Sequence, residues 1–134
     1  MTSSATRTLA SRLRTAADAL VAVIEPIDEA DWHRVPEPGT WSIGKEAEHV
    51  AEAAGYHQWI VRLTIGEKVS SRRPVLERKQ MTSALSPRGA ADLILQRVED
   101  GVGLLLALTD AQLALPTRPP RANAEFWRTR SPAF

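Results

Sequence analysis

At 134 residues, with 43% hydrophobic and 25% charged side chains, the chain has the size and composition of one globular domain with a single modest core. Its 17 basic and 16 acidic residues leave a net charge of +1, too near neutral for a surface that binds nucleic acid or an anionic membrane. The absence of cysteine excludes disulfides, thiolate metal ligands and a cysteine nucleophile.

No run approaches the ~20 apolar residues of a transmembrane helix, and the opening MTSSATRTLASRLRT lacks the apolar stretch of a signal peptide. The expectation is a cytoplasmic domain with neither nucleic acid nor membrane as partner.

Three segments carry a helical period and none a strand alternation, so the predicted fold class is all-α. The first helix spans about residues 5–25, with Leu9, Leu13, Ala16, Leu20, Val23, Ile24 and Ile27 at steps of three and four. Pro26 lacks an N–H and crowds the preceding turn, so this helix should end near Glu25. Pro36, Pro38 and Gly39 then make a loop.

The second helix spans about residues 42–65. Ser42 is its N-cap, and Ile43, Ala47, Val50, Ala54, Val61 and Ile65 form its stripe, widened by Ala53 and Ile60. The third, about residues 86–109, opens with Ser86 as cap and Pro87 at the first helical position, where a missing N–H costs nothing. Ala91, Ile94, Val98, Val102, Leu105 and Leu108 form its stripe. Gly101 and Gly103 each lower helix propensity by ~1 kcal/mol, which predicts close approach of a neighbour.

The joint from Gly66 to Leu85 is too long for a tight hairpin and suits a crossover along a bundle. Its Lys68, Arg72, Arg73, Arg78 and Lys79 read as a solvated basic loop. An internal echo runs through the chain. Asp28, Glu29 and Asp31 follow the first helix, and Thr109, Asp110 and Gln112 follow the third, each turn leading into a proline-containing loop.

After the second copy only a short segment remains, with Phe126, Trp127 and Phe134 as its large apolar groups. Residues 1–115 therefore read as a helical bundle domain, and 116–134 as a basic, proline-containing tail without regular order. Three broad apolar helix faces would leave apolar surface exposed if the bundle wants four helices. The arrangement has three helices, or a second chain supplies the fourth, or the chain is shortened; the composition favours the last two.

The three histidines set the limits on metal chemistry. His49 and His57 share the second helix eight residues apart, ~12 Å along its axis and ~80° around it. Zinc holds nitrogen ligands at ~2.1 Å, so both rings cannot reach one ion. Glu46 and Glu52 flank His49 by three residues each and are its nearest candidate co-ligands, though they diverge in angle. One helix thus offers two ligands at best, where a stable zinc site needs three or four.

Each residue also has a plain structural reading. His57 falls on the apolar seam as a partly buried packing histidine, His33 is solvated, and Trp32, Trp41 and Trp59 anchor loops and helix ends. Composition alone makes His49 an ordinary helix-face histidine. No serine lies in a nucleophile-elbow context, and no glycine-rich phosphate loop occurs.

The long first helix, the Asp31-Trp32 turn, the Pro/Gly loop and Trp41-Ser42-Ile43-Gly44 followed by His49 together resemble the DinB/YfiT-like family of helical-bundle metalloenzymes, over roughly residues 9–115. The resemblance implies a four-helix bundle with a long crossover between its second and third helices, matched by 66–85. It implies a divalent metal, zinc or nickel among others, held by three histidines, of which one matches His49. The other two form a His-x-x-x-His pair on a fourth helix, and this sequence has no histidine after His57.

The resemblance further implies transferase or isomerase chemistry with a low-molecular-weight thiol as co-substrate, the metal lowering the thiol pKa. Lys45 departs from the acidic residue that would complete the helix cap. The expectation is a DinB-like architecture with three full helices and a truncated or irregular C-terminal segment. His49 is its single surviving metal ligand, Glu46 and Glu52 are weak candidates, and the chain is inactive alone. A non-catalytic module, dimerising or taking a partner helix in the open groove, is the alternative.

Overall fold

The computed structural model describes residues 2–70, 76 and 79–117. Among these residues it is helical throughout, in the order α1 (Ser4–Ile24), α2 (Glu29–His33), α3 (Ile43–Thr64), α4 (Pro87–Ala107) and α5 (Asp110–Leu113). Of the predicted joint and tail, Arg72, Arg73, Arg78 and everything from Arg118 onward lie outside the described residues.

Each long helix begins at a serine in extended backbone. The hydroxyls of Ser3, Ser42 and Ser86 accept from the N–H groups of Thr6, Lys45 and Gly89, satisfying donors that the first turn leaves open. Pro87 occupies the start of α4 as its missing N–H allows. α1 ends at Ile24, with Glu25 as C-cap ahead of Pro26. The two acidic turns of the internal echo are both short helices. Asp28 caps α2, and Thr109 and Gln112 close a reciprocal capping box on α5.

α4 lies between α1 and α3 and packs on both, while α1 and α3 scarcely touch each other. Small side chains line these seams: Ala10 and Ala17 on α1, Ala47 and Ala51 on α3, Ala90 and Ala91 on α4, filled out by Val21, Ile24, Ile94, Val98 and Val102. The buried faces are therefore turned slightly from the stripes that the large aliphatic residues predict. Leu9 remains 41% exposed, Val23 65%, Ile43 43% and Val50 44%. Alanine at a seam allows helix axes to come close, and bulkier neighbours are displaced to its margins.

Of the two glycines in α4, Gly101 meets the predicted close neighbour. A Cβ there would lie 3.0 Å from Gln58 Nε2 and 3.5 Å from Leu13. Gly103 faces open space.

Trp32 fixes the entry to α3. Its side chain is fully buried, and its indole Nε1 donates to the Leu85 carbonyl at 2.7 Å, immediately before the α4 cap. The ring lies against Gly44 so closely that a Cβ there would fall 2.6 Å from Nε1. Ser42 N–H donates to the Met81 carbonyl at 2.9 Å, a second tie between the same two segments. Across the other seam, Arg14 forms a two-pronged pair with Glu99, at 2.8 and 3.0 Å.

Gly44→Ala should therefore destabilise the fold by about 2–3 kcal/mol in urea unfolding, because the methyl displaces the indole and its hydrogen bond. A change below about 0.5 kcal/mol, ordinary for a surface site, would show that the contact is not needed. The hydrogen bond from Arg14, reinforced by its charge, holds the Glu99 carboxyl below its usual range. A depressed carboxyl contributes stability above its unfolded pKa and loses it as pH falls through the folded value. In an NMR titration Arg14→Gln should return Glu99 upward toward an ordinary glutamate.

Candidate functional site

Because α4 separates α1 from α3, an open cleft of about 460 Å³ remains along one side of the bundle. Its wall on α3 is His49, Val50, Ala53, Ala54, His57, Gln58 and Val61; α4 contributes Arg97, Val98, Gly101, Leu104 and Leu105, and α1 contributes Leu13. The positions at which α3 steps by three and four toward the cleft are largely those that the sequence assigns to its apolar stripe. That stripe is split: Ala47 enters the core, whereas Val50, Ala54 and Val61 face the opening. The volume is within the range of small-molecule sites.

His49 is half-buried on this wall. Its ring stacks at a tilt on Trp41, with centroids 5.2 Å apart, and its Nδ1 is buried without a hydrogen-bond partner among the described residues. Leaving such an atom unsatisfied costs about 1–3 kcal/mol, so its retention at a cleft suits an atom that takes a ligand.

Lys45, which is only 1% exposed, also lies near Trp41. Its ammonium lies 5.9 Å from the Trp41 ring centroid and donates to Glu48 Oε2 at 3.4 Å. The position where the sequence suggested an imperfect cap thus holds a buried cation, and Ser42 alone caps the turn.

The remaining sequence-derived candidates are dispersed. Glu46 is exposed in the first turn of α3, and Glu52 is half-buried on the turn after His49. His33 is exposed and pairs with Glu29 at 3.1 Å, as expected of a solvated histidine. His57 is exposed at the cleft mouth, edge-on to Tyr56 at 5.9 Å, and not packed into the seam. Tyr56 and Trp59 take the buried positions instead, with Trp59 Nε1 donating to the Ser70 carbonyl at 2.9 Å.

Among the described residues no group of three or more histidine, aspartate or glutamate side chains comes together to hold a metal ion. Two residues of the cleft escaped the sequence reading, Arg97 and Gln58. Gln58 Nε2 donates to the Arg97 carbonyl at 2.7 Å across the α3–α4 seam. Their only signal was position, Arg97 lying within a turn of Ile94, Val98 and Gly101 on α4.

A cleft between packed helices, with an imidazole on its wall, defines a helical-bundle domain with a small-molecule-sized site. The family model of the DinB superfamily matches residues 12–133, and the chain belongs to that superfamily. No curated protein and no solved structure matches it. Among the described residues no helix is long and apolar enough to cross a membrane.

The superfamily resemblance implies a divalent metal on three histidines. The residues present do not fit that centre: His49 offers an unpaired buried nitrogen, but His33 is engaged on a separate short helix and His57 stands two turns along α3. The whole chain contains no other histidine and no cysteine.

Glu48→Ala should cost about 3 kcal/mol, since it strips the buried Lys45 ammonium of its carboxylate. Lys45→Met, which removes the charge together with its need for a partner, should cost clearly less in the same denaturation experiment. Equal losses would mean that packing and not charge pairing governs this corner.

Proposed function

We propose that this DinB-superfamily domain takes a small apolar molecule in the cleft between α1, α3 and α4, with His49 at the position of the superfamily's first metal ligand. On the same reading the chain by itself does not run metal-dependent thiol transfer or isomerisation, because one imidazole cannot replace three. The observation that carries this is the His49 ring on the cleft wall, its Nδ1 buried and without a partner among the described residues, beside a lining that is mainly apolar. Glu46 and Glu52 are the only acidic residues within a turn on either side that could supplement it, apart from Glu48, which serves Lys45. A zinc or nickel ion held by His49 with one carboxylate would be loosely bound.

A second reading keeps the same surface but gives it to a macromolecule. The exposed Val50 at the cleft edge and Leu9, one turn from Leu13, extend the apolar area along the bundle. A second copy or a partner helix would cover such a face.

Two measurements separate these readings. Ala54→Trp, which fills the cleft from one wall, should abolish binding of a neutral apolar dye while the protein remains monomeric by light scattering. Unchanged dye binding sinks the cleft proposal, and a stable dimer transfers the surface to the second reading. In calorimetric titration, zinc and nickel should bind weakly and lose most of that binding in His49→Ala; a stoichiometric ion retained through gel filtration would overturn the claim that the centre is incomplete.

A further inference from the structure

The described chain runs to Thr117, four residues past α5, and seventeen residues follow it. That segment differs from the rest in composition. It holds both phenylalanines of the protein, Phe126 and Phe134, together with Trp127. It also carries four arginines against one glutamate, which leaves residues 1–117 at a net charge of −2 where the whole chain is +1. The superfamily match includes it, extending to residue 133.

The helix directions put the start of this segment at one end of the cleft. α3 and α4 run the same way. Trp32 meets the start of both, at Gly44 and at the Leu85 carbonyl, and farther along Gln58 reaches the Arg97 carbonyl. The His49 end of the cleft therefore lies toward the two helix starts. The end lined by Val61, Leu104 and Leu105 lies toward the point where the chain leaves α4.

From His49 to Val61 the α3 wall is ~18 Å long. Trp127 stands ten residues past Thr117, ~15 Å along a helix or ~33 Å along extended chain, so its reach covers the cleft. The apolar area also continues to the edges of the opening, where Leu9 and Val50 are over two-fifths exposed. Leu115, 45% exposed, leads from α5 into the segment.

We infer that residues 118–134 fold back over the open side of the cleft and seat Phe126 and Trp127 between α1 and α3, and that a small molecule enters by displacing them. This goes beyond the small-molecule reading, since it names what covers the cleft when no ligand is bound. An indole and a phenyl ring supply large apolar area for a groove of this lining. The tether holds them at an effective concentration on the order of millimolar, so weak contacts suffice and a ligand can compete. The segment's positive charge beside a negatively charged body favours the docked arrangement.

The test uses the full chain, whose lack of cysteine lets a single nitroxide be placed through Ser131→Cys. In NMR spectra the amides of Val50, Ala53, Ala54 and Val61 should broaden strongly. Asp92, on the opposite side of α4 from Gly101, should not. Phe126→Ala combined with Trp127→Ala should remove the broadening. The same pair should raise affinity for a neutral apolar dye at least tenfold.

Absence of broadening at the cleft amides overturns the docking, as does equal broadening at Asp92; this readout needs no variant of Phe126 or Trp127. Broadening of a nitroxide-free, isotope-labelled chain by a nitroxide-bearing one gives the segment to a second copy and overturns it equally. Equal dye affinity with and without the two aromatic side chains overturns the displacement. Failure of both proteins to bind dye overturns the small-molecule reading instead, and the docking is still decided by the amides.

Discussion

A buried indole governs the geometry of this domain. Trp32 cannot be sequestered unless its N–H finds an acceptor, and the acceptor is the Leu85 carbonyl at the threshold of α4. The ring cannot lie there unless α3 begins without a side chain at position 44, and Gly44 meets that need. One interaction thus links the turn after α1, the first turn of α3 and the entry to α4. The Ser42–Met81 backbone bond repeats the link a few residues away. With the start of α3 pinned, helical geometry fixes where its later residues point, and His49 comes a turn and a half below Gly44 on the cleft wall.

The second governing choice is the size of the seam residues. α4 receives α1 and α3 on small side chains, with alanines from all three helices in the core and Gly101 beneath Leu13 and Gln58. Close packing on α4 holds its two neighbours on opposite flanks, so they do not close on each other. The cleft is the direct consequence. The same small residues that tighten the seams leave Ala53, Ala54 and Gly101 along its walls, and little side-chain volume to fill it.

This division explains what the sequence disclosed and what it withheld. Helix starts depend on chemistry carried by single residues, so Ser42, Ser86 with Pro87, and the block at Pro26 could be read directly. The repeated acidic turns were readable for the same reason, since Asp28 and Thr109 both act as caps. Burial depends on where the neighbouring helices approach, and periodicity alone does not contain that.

The large aliphatics of α1 and α3 therefore suggested faces that the alanine seams displaced, leaving Leu9, Ile43 and Val50 over two-fifths exposed. His57 is exposed for the same reason, as the seam that predicts its packing opens to the cleft and not into the core. Lys45 looked like a weak cap residue because a buried cation has no local signature. Its burial depends on Glu48 and on Trp41, the latter from outside the helix.

Donor counting and surface chemistry point the same way for the cleft. Metal catalysis requires convergent donors, and in this chain histidine is too sparse and too dispersed to supply them. Apolar recognition requires only shape, a dry lining and one or two polar groups to set orientation. On the reading proposed above, residues from three helices supply that lesser demand, with the imidazole of His49 on the wall. The apolar walls arise from the packing of α4, whereas metal donors must be placed one by one, so the two are separable demands on one fold.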